Sequence, residues 1–188
     1  MRITGGVARG RPLRAPKGNK VRPTADKVRG AIFNILASRI EVENGRWIDL
    51  FAGTGAVGLE ALSRGAEHVT FVDESQDSCL IARENLERIG FAARSEIRRL
   101  RLPGGLRSLD RDGTRFTGAF VDPPYRQGLC AETLAVLGQG SLIATHGIVV
   151  AEHATEDVLD ERYGKLALID SRRYGSTALS LYVCREES

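Results

Sequence analysis

Four consecutive residues, Asp122-Pro123-Pro124-Tyr125, combine a carboxylate, a stiff backbone and an aromatic ring. An exocyclic amine on a planar base is a poor nucleophile because its lone pair is delocalised into the ring. A carboxylate on one N–H and a backbone carbonyl on the other would hold the nitrogen and offset its developing positive charge. Asp122 and the Pro123 carbonyl can be these acceptors, the prolines restrict the backbone, and Tyr125 offers a face for a base. These four residues are the candidate catalytic residues.

A glycine-rich segment lies upstream, in Asp49-Leu50-Phe51-Ala52-Gly53-Thr54-Gly55. With Gly58 it matches the pattern G-x-G-x-x-G between a predicted strand and a predicted helix. Glycines at these positions allow a tight turn and let a ligand approach the backbone. Asp73 follows Gly53 by 20 residues, at the end of the next predicted strand, where a carboxylate can accept both hydroxyls of a ribose. The segment therefore predicts a site for a cofactor that contains adenosine.

The choice of cofactor depends on Asp49, which stands before the turn. Its carboxylate could orient the cationic amine of a methionine moiety, whereas the pyrophosphate of a dinucleotide gives no reason for a negative charge there. Together with the amine-positioning motif, this favours S-adenosylmethionine over NAD. Three glycines alone would also fit a tight turn without a ligand. The candidate cofactor-binding residues are Asp49, Phe51, Ala52, Gly53, Thr54, Gly55, Asp73 and Glu74.

Strands and helices alternate around both motifs. The apolar patterns predict strands at residues 47–51, 69–73, 95–98, 119–121 and 147–151, helices at 25–39, 57–62, 75–89 and 129–138, and a final β-hairpin at 166–172 and 178–184. This order predicts a Rossmann-like α/β fold: a mostly parallel seven-stranded sheet with helices on both faces and a C-terminal antiparallel β-hairpin. In such sheets ligands bind beyond the carboxyl ends of the strands, where both motifs fall.

Positive charge is concentrated at the start of the chain. The first 30 residues hold nine Lys and Arg against one acid, a net charge of +8, while the whole chain carries +3 and the remainder therefore −5. A basic segment on a mildly acidic body indicates a polyanionic partner, although such a segment could also be a merely solubilising tail. Arg22-Pro23-Thr24 leads directly into a predicted helix with Thr24 as its N-cap, which ties the segment to the fold. We expect a basic arm at residues 1–24 and a single domain at 25–188.

The sequence gives no sign of a membrane segment, a signal peptide, a disulfide or a metal site. No apolar run approaches the roughly 20 residues of a membrane helix, and the first residues lack the apolar stretch of a signal peptide. We therefore expect a cytoplasmic monomer without a membrane partner. Three cysteines without C-x-x-C spacing and three isolated histidines predict neither disulfides nor a metal site.

The motifs together resemble the class I methyltransferases that modify nucleic-acid amines, and more closely the RsmD-type 16S ribosomal RNA guanine-N2 methyltransferases. The resemblance covers nearly the whole chain. It rests on Arg2-Ile3-Thr4-Gly5-Gly6, Arg22-Pro23-Thr24-x-Asp26-x-x-Arg29, Phe33-Asn34, the glycine segment through Gly65-Ala66, Asp122-Pro123-Pro124-Tyr125, and Tyr174-Gly175-x-Thr177. The Arg-Pro-Thr segment makes it specific, because the other two motifs are shared more widely.

The resemblance implies methyl transfer from S-adenosylmethionine to N2 of one guanine in the helix-31 loop of 16S rRNA, in the small subunit or an assembly intermediate. It makes the N-terminal arm the RNA-facing element, with Arg9, Arg11, Arg22, Thr24 and Arg29 as candidate contacts. Phosphate contacts of this kind fix position without reading sequence. Residues 97–102 depart from the family pattern, which commonly places an acidic or amide residue there to meet the adenine of the cofactor.

Three other functions fit parts of the sequence. Asp-Pro-Pro-Tyr serves other planar amines, so an adenine-N6 methyltransferase acting on RNA or DNA is the main alternative. No large insertion suited to DNA target recognition is visible, which favours RNA. An NAD-dependent oxidoreductase would use the glycine segment but has no use for Asp122-Pro123-Pro124-Tyr125. A non-catalytic RNA-binding module is disfavoured because that motif is intact.

Overall fold

A computed structural model of the chain describes residues 1–16, 23–111, 113–125 and 127–186, with the backbone alone at 23–26. The chain divides into two compact units, Met1–Arg99 and Leu100–Ser188. The amine-positioning motif lies in the second unit and the glycine segment in the first. Each unit is built around its own run of strands.

The first unit alternates strands and helices. Its elements are α1 (Pro23–Leu36), β1 (Arg46–Leu50), α2 (Ala56–Ser63), β2 (His68–Asp73), α3 (Gln76–Ile89) and β3 (Ser95–Arg99). The strands lie in the order β3-β2-β1, and both pairs are parallel. In α3 the Ser75 side chain accepts the Ser78 N–H at 3.3 Å, and Gly90 ends the helix in the left-handed conformation that an L side chain disfavours. Parallel pairing brings the carboxyl ends of β1 and β2 to one edge.

The N-terminal segment packs onto this unit. Ile3 and Leu13 are buried, and Arg2 forms a β-bridge with Pro12. The Val7 N–H donates to the Ser63 carbonyl at 2.8 Å, and the Ala8 N–H donates to Ser63 Oγ at 2.9 Å. Residues 1–16 are therefore part of the packed structure rather than a solvated tail.

Buried charges join this segment to two helices. Glu60 of α2 is fully buried, and its carboxylate accepts the Thr4 N–H and the Thr4 hydroxyl, each at 2.8 Å. Arg64 donates to the same carboxylate at 2.9 and 3.0 Å, and Arg29 of α1 donates at 3.4 Å. A buried carboxylate is tolerated only with such partners. We call Thr4, Arg29, Glu60 and Arg64 the Glu60 cluster.

The second unit is mostly antiparallel. Its elements are α4 (Leu106–Arg111), β4 (Phe116–Val121), α5 (Leu129–Gln139), β5 (Ile143–Ala154), β6 (Arg162–Tyr163), β7 (Leu166–Tyr174) and β8 (Thr177–Cys184). The strands lie in the order β4-β5-β8-β7-β6. Only β4 and β5 pair in parallel, while β8 runs against both β5 and β7. The turn between β7 and β8 therefore lies at the same end as the carboxyl ends of β4 and β5.

The predicted α/β fold, its strands and its C-terminal hairpin are confirmed. The described residues contain eight strands rather than seven, because the two-residue β6 is too short to leave a pattern in the sequence. Helix α4 was not predicted either: six residues show only one apolar pair, Leu106 and Leu109, on the buried side. Helix α1 begins at Pro23, so Thr24 is its second residue rather than its N-cap. Proline suits this first position because its missing N–H would have no helical partner.

Across the described ranges, no helix has the length and apolar character needed to cross a membrane. The same residues contain no group of three or more histidines, cysteines and acids arranged to hold a metal ion. Cys130 and Cys184 are buried, Cys79 is half-buried, and all three carry free thiols.

Candidate active site

The glycine segment forms a strained turn after β1. Phe51 has φ +60°, a left-handed conformation that is costly for a side chain with a Cβ, and Gly53 and Gly55 have φ +54° and +76°. The Ala52 N–H donates to the Val72 carbonyl of β2 at 3.0 Å, which holds the turn against the neighbouring strand. The sequence predicted the glycines but not the strain at Phe51. Such strain is common at ligand-binding turns.

Asp49 lies beneath this turn, on β1. It is 2% exposed, and its Oδ2 accepts the Gly58 N–H at 2.9 Å. Burial raises the pKa of Asp49 to about 7, and the nearby Asp73 carboxylate adds to this rise. Gly58 has to be glycine here, since a Cβ would lie 2.3 Å from Cε1 of Phe71. Asp49 thus supports the loop and also holds a charge that depends on pH near neutrality.

Asp73 ends β2 and faces the loop. Its Oδ2 accepts the Gly53 N–H at 2.8 Å, and its Oδ1 accepts the Ser75 N–H at 2.9 Å. A carboxylate has about four acceptor positions, so two ribose hydroxyls can still bind it. The neighbouring Glu74 is exposed, and its backbone carbonyl accepts a hydrogen bond from the Arg99 Nε–H at 3.0 Å. Residues 97–102 contain no acid or amide that could meet an adenine. Within them, Arg99 pairs with Asp73 across the strands and contacts Glu74.

Asn85 was missed by the sequence interpretation although it connects the loop to the N-terminal segment. Its side chain is fully buried on α3, and Nδ2 donates to the carbonyls of Thr54 and Arg14 at 3.0 and 3.1 Å. Its Oδ1 accepts the Arg14 N–H at 2.7 Å. One amide therefore fixes the glycine segment and the end of the described N-terminal segment together. In the sequence, only the position of a polar residue on the apolar side of a predicted helix points to this role of Asn85.

The four residues of the amine-positioning motif follow β4 directly. Asp122 is exposed, Pro123 is buried, Pro124 is exposed and Tyr125 is half-buried. The buried first proline anchors the segment to the unit, while Asp122 before it is exposed. An accessible carboxylate on an anchored, proline-restricted backbone can accept an N–H from a planar amine with little loss of conformational entropy.

Two residues outside the motif hold Tyr125. Its hydroxyl donates to Glu152 Oε1 at 3.0 Å and lies 3.0 Å from Oγ1 of Thr177. Glu152 belongs to β5, and Thr177 is the first residue of β8. Burial raises the pKa values of both Glu152 and the Tyr125 phenol, so the tyrosine stays protonated and can donate. The sequence interpretation assigned no role to Glu152, and Thr177 appeared only within Tyr174-Gly175-x-Thr177.

A cavity of about 130 Å³ lies beside Tyr125. Its walls include Pro123, Pro124, Tyr125, Cys130, His153 and Val158. His153 contributes no free nitrogen, because Nδ1 contacts the Ala154 carbonyl and Nε2 contacts Ser180 Oγ, both at 2.9 Å. Burial also lowers the pKa of His153, so its ring is neutral near pH 7. The cavity therefore has proline and aromatic walls together with one acidic side chain, that of Asp157.

Replacing Tyr125 by phenylalanine should lower the free energy of unfolding by about 1–3 kcal/mol at pH 8. The reason is that the half-buried Glu152 carboxylate loses its hydroxyl donor. Because burial raises the pKa of Glu152, its carboxyl takes up a proton in the folded protein at a higher pH than a free carboxyl does, so the loss should shrink as the pH falls. Urea unfolding at a series of pH values from 8 downward measures this. Tyr174→Phe, which removes a hydroxyl from a half-buried residue, is the control, and an equal loss in both variants would contradict the assignment.

The structure changes the candidate RNA contacts. Arg9 and Arg11 are exposed, and the Arg11 guanidinium donates to the Arg88 carbonyl at 2.7 Å. The prediction for Arg29 is wrong: it is 3% exposed, and its guanidinium is bound to Glu60 and to the Arg2 carbonyl. A residue inside the Glu60 cluster cannot reach RNA. Arg22 and the side chain of Thr24 lie outside the described residues.

Comparison with known proteins gives matches along the whole chain. Residues 1–183 match the family described as "Conserved hypothetical protein 95". The Bacillus subtilis (strain 168) protein named "Putative rRNA methyltransferase YlbH" is 35% identical over 97% of this chain and 98% of its own. The Escherichia coli (strain K12) ribosomal RNA small subunit methyltransferase D is 32% identical over 97% of this chain and 89% of its own.

Solved structures show the same fold. A hypothetical protein of Thermus thermophilus superposes with a TM-score of 0.82 and 34% sequence identity, covering 96% of this chain and 98% of its own. Because the match covers 96% of this chain, it includes the glycine segment of the first unit and Asp122-Pro123-Pro124-Tyr125 of the second. The fold of this chain is therefore that of the Thermus thermophilus protein.

Proposed function

This chain belongs to the family described as "Conserved hypothetical protein 95", that of the RsmD-type methyltransferases, and we propose that it methylates an exocyclic base amine in ribosomal RNA. The membership makes it a methyltransferase. The proposal adds the donor, S-adenosylmethionine, and the acceptor, N2 of a guanine in the helix-31 loop of 16S rRNA. It places the reaction in the cytoplasm, on the small subunit or its assembly intermediate, with the protein acting as a monomer.

The arrangement of Asp122 and Tyr125 carries the proposal. Asp122 is exposed at the end of β4, and the hydroxyl of Tyr125 is held by Glu152 and Thr177. Asp122 and the Pro123 carbonyl accept the two N–H groups of the amine, and Tyr125 stacks on the base. These contacts aim the nitrogen lone pair and offset its positive charge as the new bond forms. Positioning contributes more to catalysis here than proton abstraction does.

Residues of the first unit fit the cofactor. S-adenosylmethionine supplies an electrophilic methyl group on its sulfonium sulfur. Asp73 suits the ribose hydroxyls, and Asp49 suits the cationic amine of the methionine part, for which its ionised form is needed. Phe51, Ala52, Gly53, Thr54, Gly55 and Glu74 complete the proposed contacts. A Cβ built at Gly53 meets no side chain within 4 Å, which leaves the backbone open to a ligand.

Relatives and surface charge support the choice of target. The family relatives are named as rRNA methyltransferases, and guanine N2 comes from the resemblance of the motifs. The exposed Arg9 and Arg11 support a polyanion surface at the N-terminal segment, to which we also assign Arg22 and Thr24. Such contacts bind phosphates and leave the choice of base to other residues.

Transfer of tritium from labelled S-adenosylmethionine tests the proposal. Small subunits that lack the modification should accept label in proportion to enzyme turnover, and nuclease mapping with mass spectrometry should find N2-methylguanosine at one site. If the label is found on N6 of an adenine, the enzyme is an adenine-N6 methyltransferase and the guanine assignment is wrong. If calorimetry shows that the cofactor binds but neither small subunits nor naked rRNA accept label, rRNA is not the substrate.

A further inference from the structure

The segment Tyr174-Gly175-x-Thr177 has a role beyond holding Tyr125. It forms the turn between β7 and β8 at the carboxyl end of β5, where Thr177 pairs with Ala154. Thr177 contacts the Tyr125 hydroxyl, so the turn lies directly beside the proposed acceptor site. Tyr174 pairs with Thr177 across the hairpin, which brings a second aromatic ring to the same end of the sheet.

The strand register shows which side chains share a face. Residues directly opposite each other in antiparallel strands point to the same side of the sheet. Glu152 of β5 lies opposite Leu179 of β8, and Leu179 lies opposite Arg172 of β7. Thr177 and Tyr174 are opposite each other, two residues further along. Arg172 and Tyr174 therefore lie on the face that carries the Glu152 and Thr177 contacts to Tyr125.

Arg172 is held outward on this face. Its Nε and one terminal nitrogen contact Asp170 Oδ2 at 3.1 and 3.0 Å, and the side chains of Arg172 and Asp170 are 46% and 18% exposed. The carboxylate thus fixes the guanidinium from the buried side. A guanidinium has five N–H donors, and the Asp170 contacts involve two of its nitrogens, with Tyr174 as a further hydrogen-bond partner. Tyr174 beside it is half-buried.

We propose that Arg172 and Tyr174 form a second RNA-binding face, which holds the single-stranded RNA next to the target base. Arg172 binds a phosphate and Tyr174 stacks on a flanking base. The inference rests on the proposed function. Two strand spacings separate Glu152 from Arg172, or roughly 10 Å, which is within reach of the nucleotides that flank a base stacked on Tyr125.

Charge and ring chemistry favour RNA over protein as the partner. A guanidinium held in place by Asp170 suits phosphate, and an adjacent aromatic ring suits a base that has left its stack. A target amine becomes accessible only when its base is unstacked, so the neighbouring nucleotides are single-stranded at that moment. The N-terminal segment holds a different part of the RNA under this proposal.

Arg172→Ala and Tyr174→Ala test the face. Each should raise the KM for unmethylated small subunits about tenfold while kcat and cofactor affinity stay within about twofold, because each loses ground-state RNA contacts. Arg172→Ala should also reduce the slope of log KM against log salt by about one. Arg173→Ala is the matched control: the same charge is lost from the same exposed strand, but on the opposite face. An equal effect in Arg173→Ala would mean diffuse electrostatics and would overturn the proposal.

Photo-crosslinking distinguishes the kinds of partner. Benzoylphenylalanine placed at position 174 should crosslink to rRNA within a few nucleotides of the methylated base. A crosslink to a ribosomal protein, or unchanged KM in both variants, would refute an RNA-binding face. The wild-type enzyme separates the two proposals: if it labels no RNA, the proposed function fails, and if it labels RNA normally while the variants match it, only this inference fails.

Discussion

Asp122→Ala should reduce the rate of methyl transfer by about 10²–10³-fold and leave the affinity for S-adenosylmethionine within about twofold. The loss is that expected when one preorganised electrostatic contact to a developing charge is removed. Asp122 is exposed at the end of β4, so its truncation leaves no cavity in the core. Single-turnover transfer to small subunits measures the rate, and calorimetry measures cofactor binding.

Two further variants sharpen this result. Asp122→Asn keeps one acceptor oxygen without the charge, so its rate should lie between those of the wild type and the alanine variant. Glu156→Ala removes an exposed carboxylate from the same unit and should transfer methyl groups normally. Near wild-type transfer by Asp122→Ala would show that the amine is positioned elsewhere.

Asp49→Asn should remove the pH dependence of cofactor binding. Because burial raises the pKa of Asp49 to about 7, the wild-type carboxylate is largely ionised at pH 8 and largely protonated at pH 6. A cationic amine prefers the ionised form, so wild-type affinity should fall about tenfold per pH unit below 7. The asparagine variant should bind weakly at pH 8 and with the same affinity at pH 6. Calorimetry at four pH values between 5.5 and 8.5 measures this.

The same substitution should stabilise the protein without cofactor. A carboxyl whose pKa is higher in the folded than in the unfolded state stabilises the protein below its unfolded pKa. This contribution to the free energy of unfolding is lost as the pH rises from the unfolded pKa to the folded pKa. Wild-type stability should therefore decrease between about pH 4 and 7, and Asp49→Asn should exceed it above pH 7 by on the order of a few kcal/mol. Asp77→Asn, an exposed position in the first turn of α3, should change neither property. A wild-type affinity independent of pH would contradict the role of Asp49.

Local patterns predicted much of this fold. Buried strands such as β2 and β4 are rich in aromatic and β-branched residues, and the β7–β8 hairpin has a turn motif, Tyr174-Gly175-x-Thr177, between its two strands. Elements as short as β6 and α4 have too few residues for a period, and their positions depend on tertiary packing. The loops of the candidate site were predictable because glycine and proline restrict or extend backbone conformation in known ways.

Side-chain partners were not predictable in the same way. Arg29 stands in a basic segment and was expected on the surface, but the fully buried Glu60, 31 residues later, draws it inside. Glu152 looks like the end of an apolar strand, and only the register with β8 shows that it and Thr177 share the Tyr125 hydroxyl. Pairings of this kind depend on long-range packing that no local spacing records.

The Glu60 cluster also has a consequence for how sequences of this family can diverge. Removing one member of a buried ion pair costs about 3–5 kcal/mol, whereas replacing the whole group by apolar residues of similar volume can be neutral. Single substitutions at Arg29 or Glu60 should therefore be purged by selection, while joint substitutions can persist. Positions 29, 60 and 64 should change together among relatives. An arginine retained at position 29 would reflect inheritance of a folded core rather than of an RNA contact.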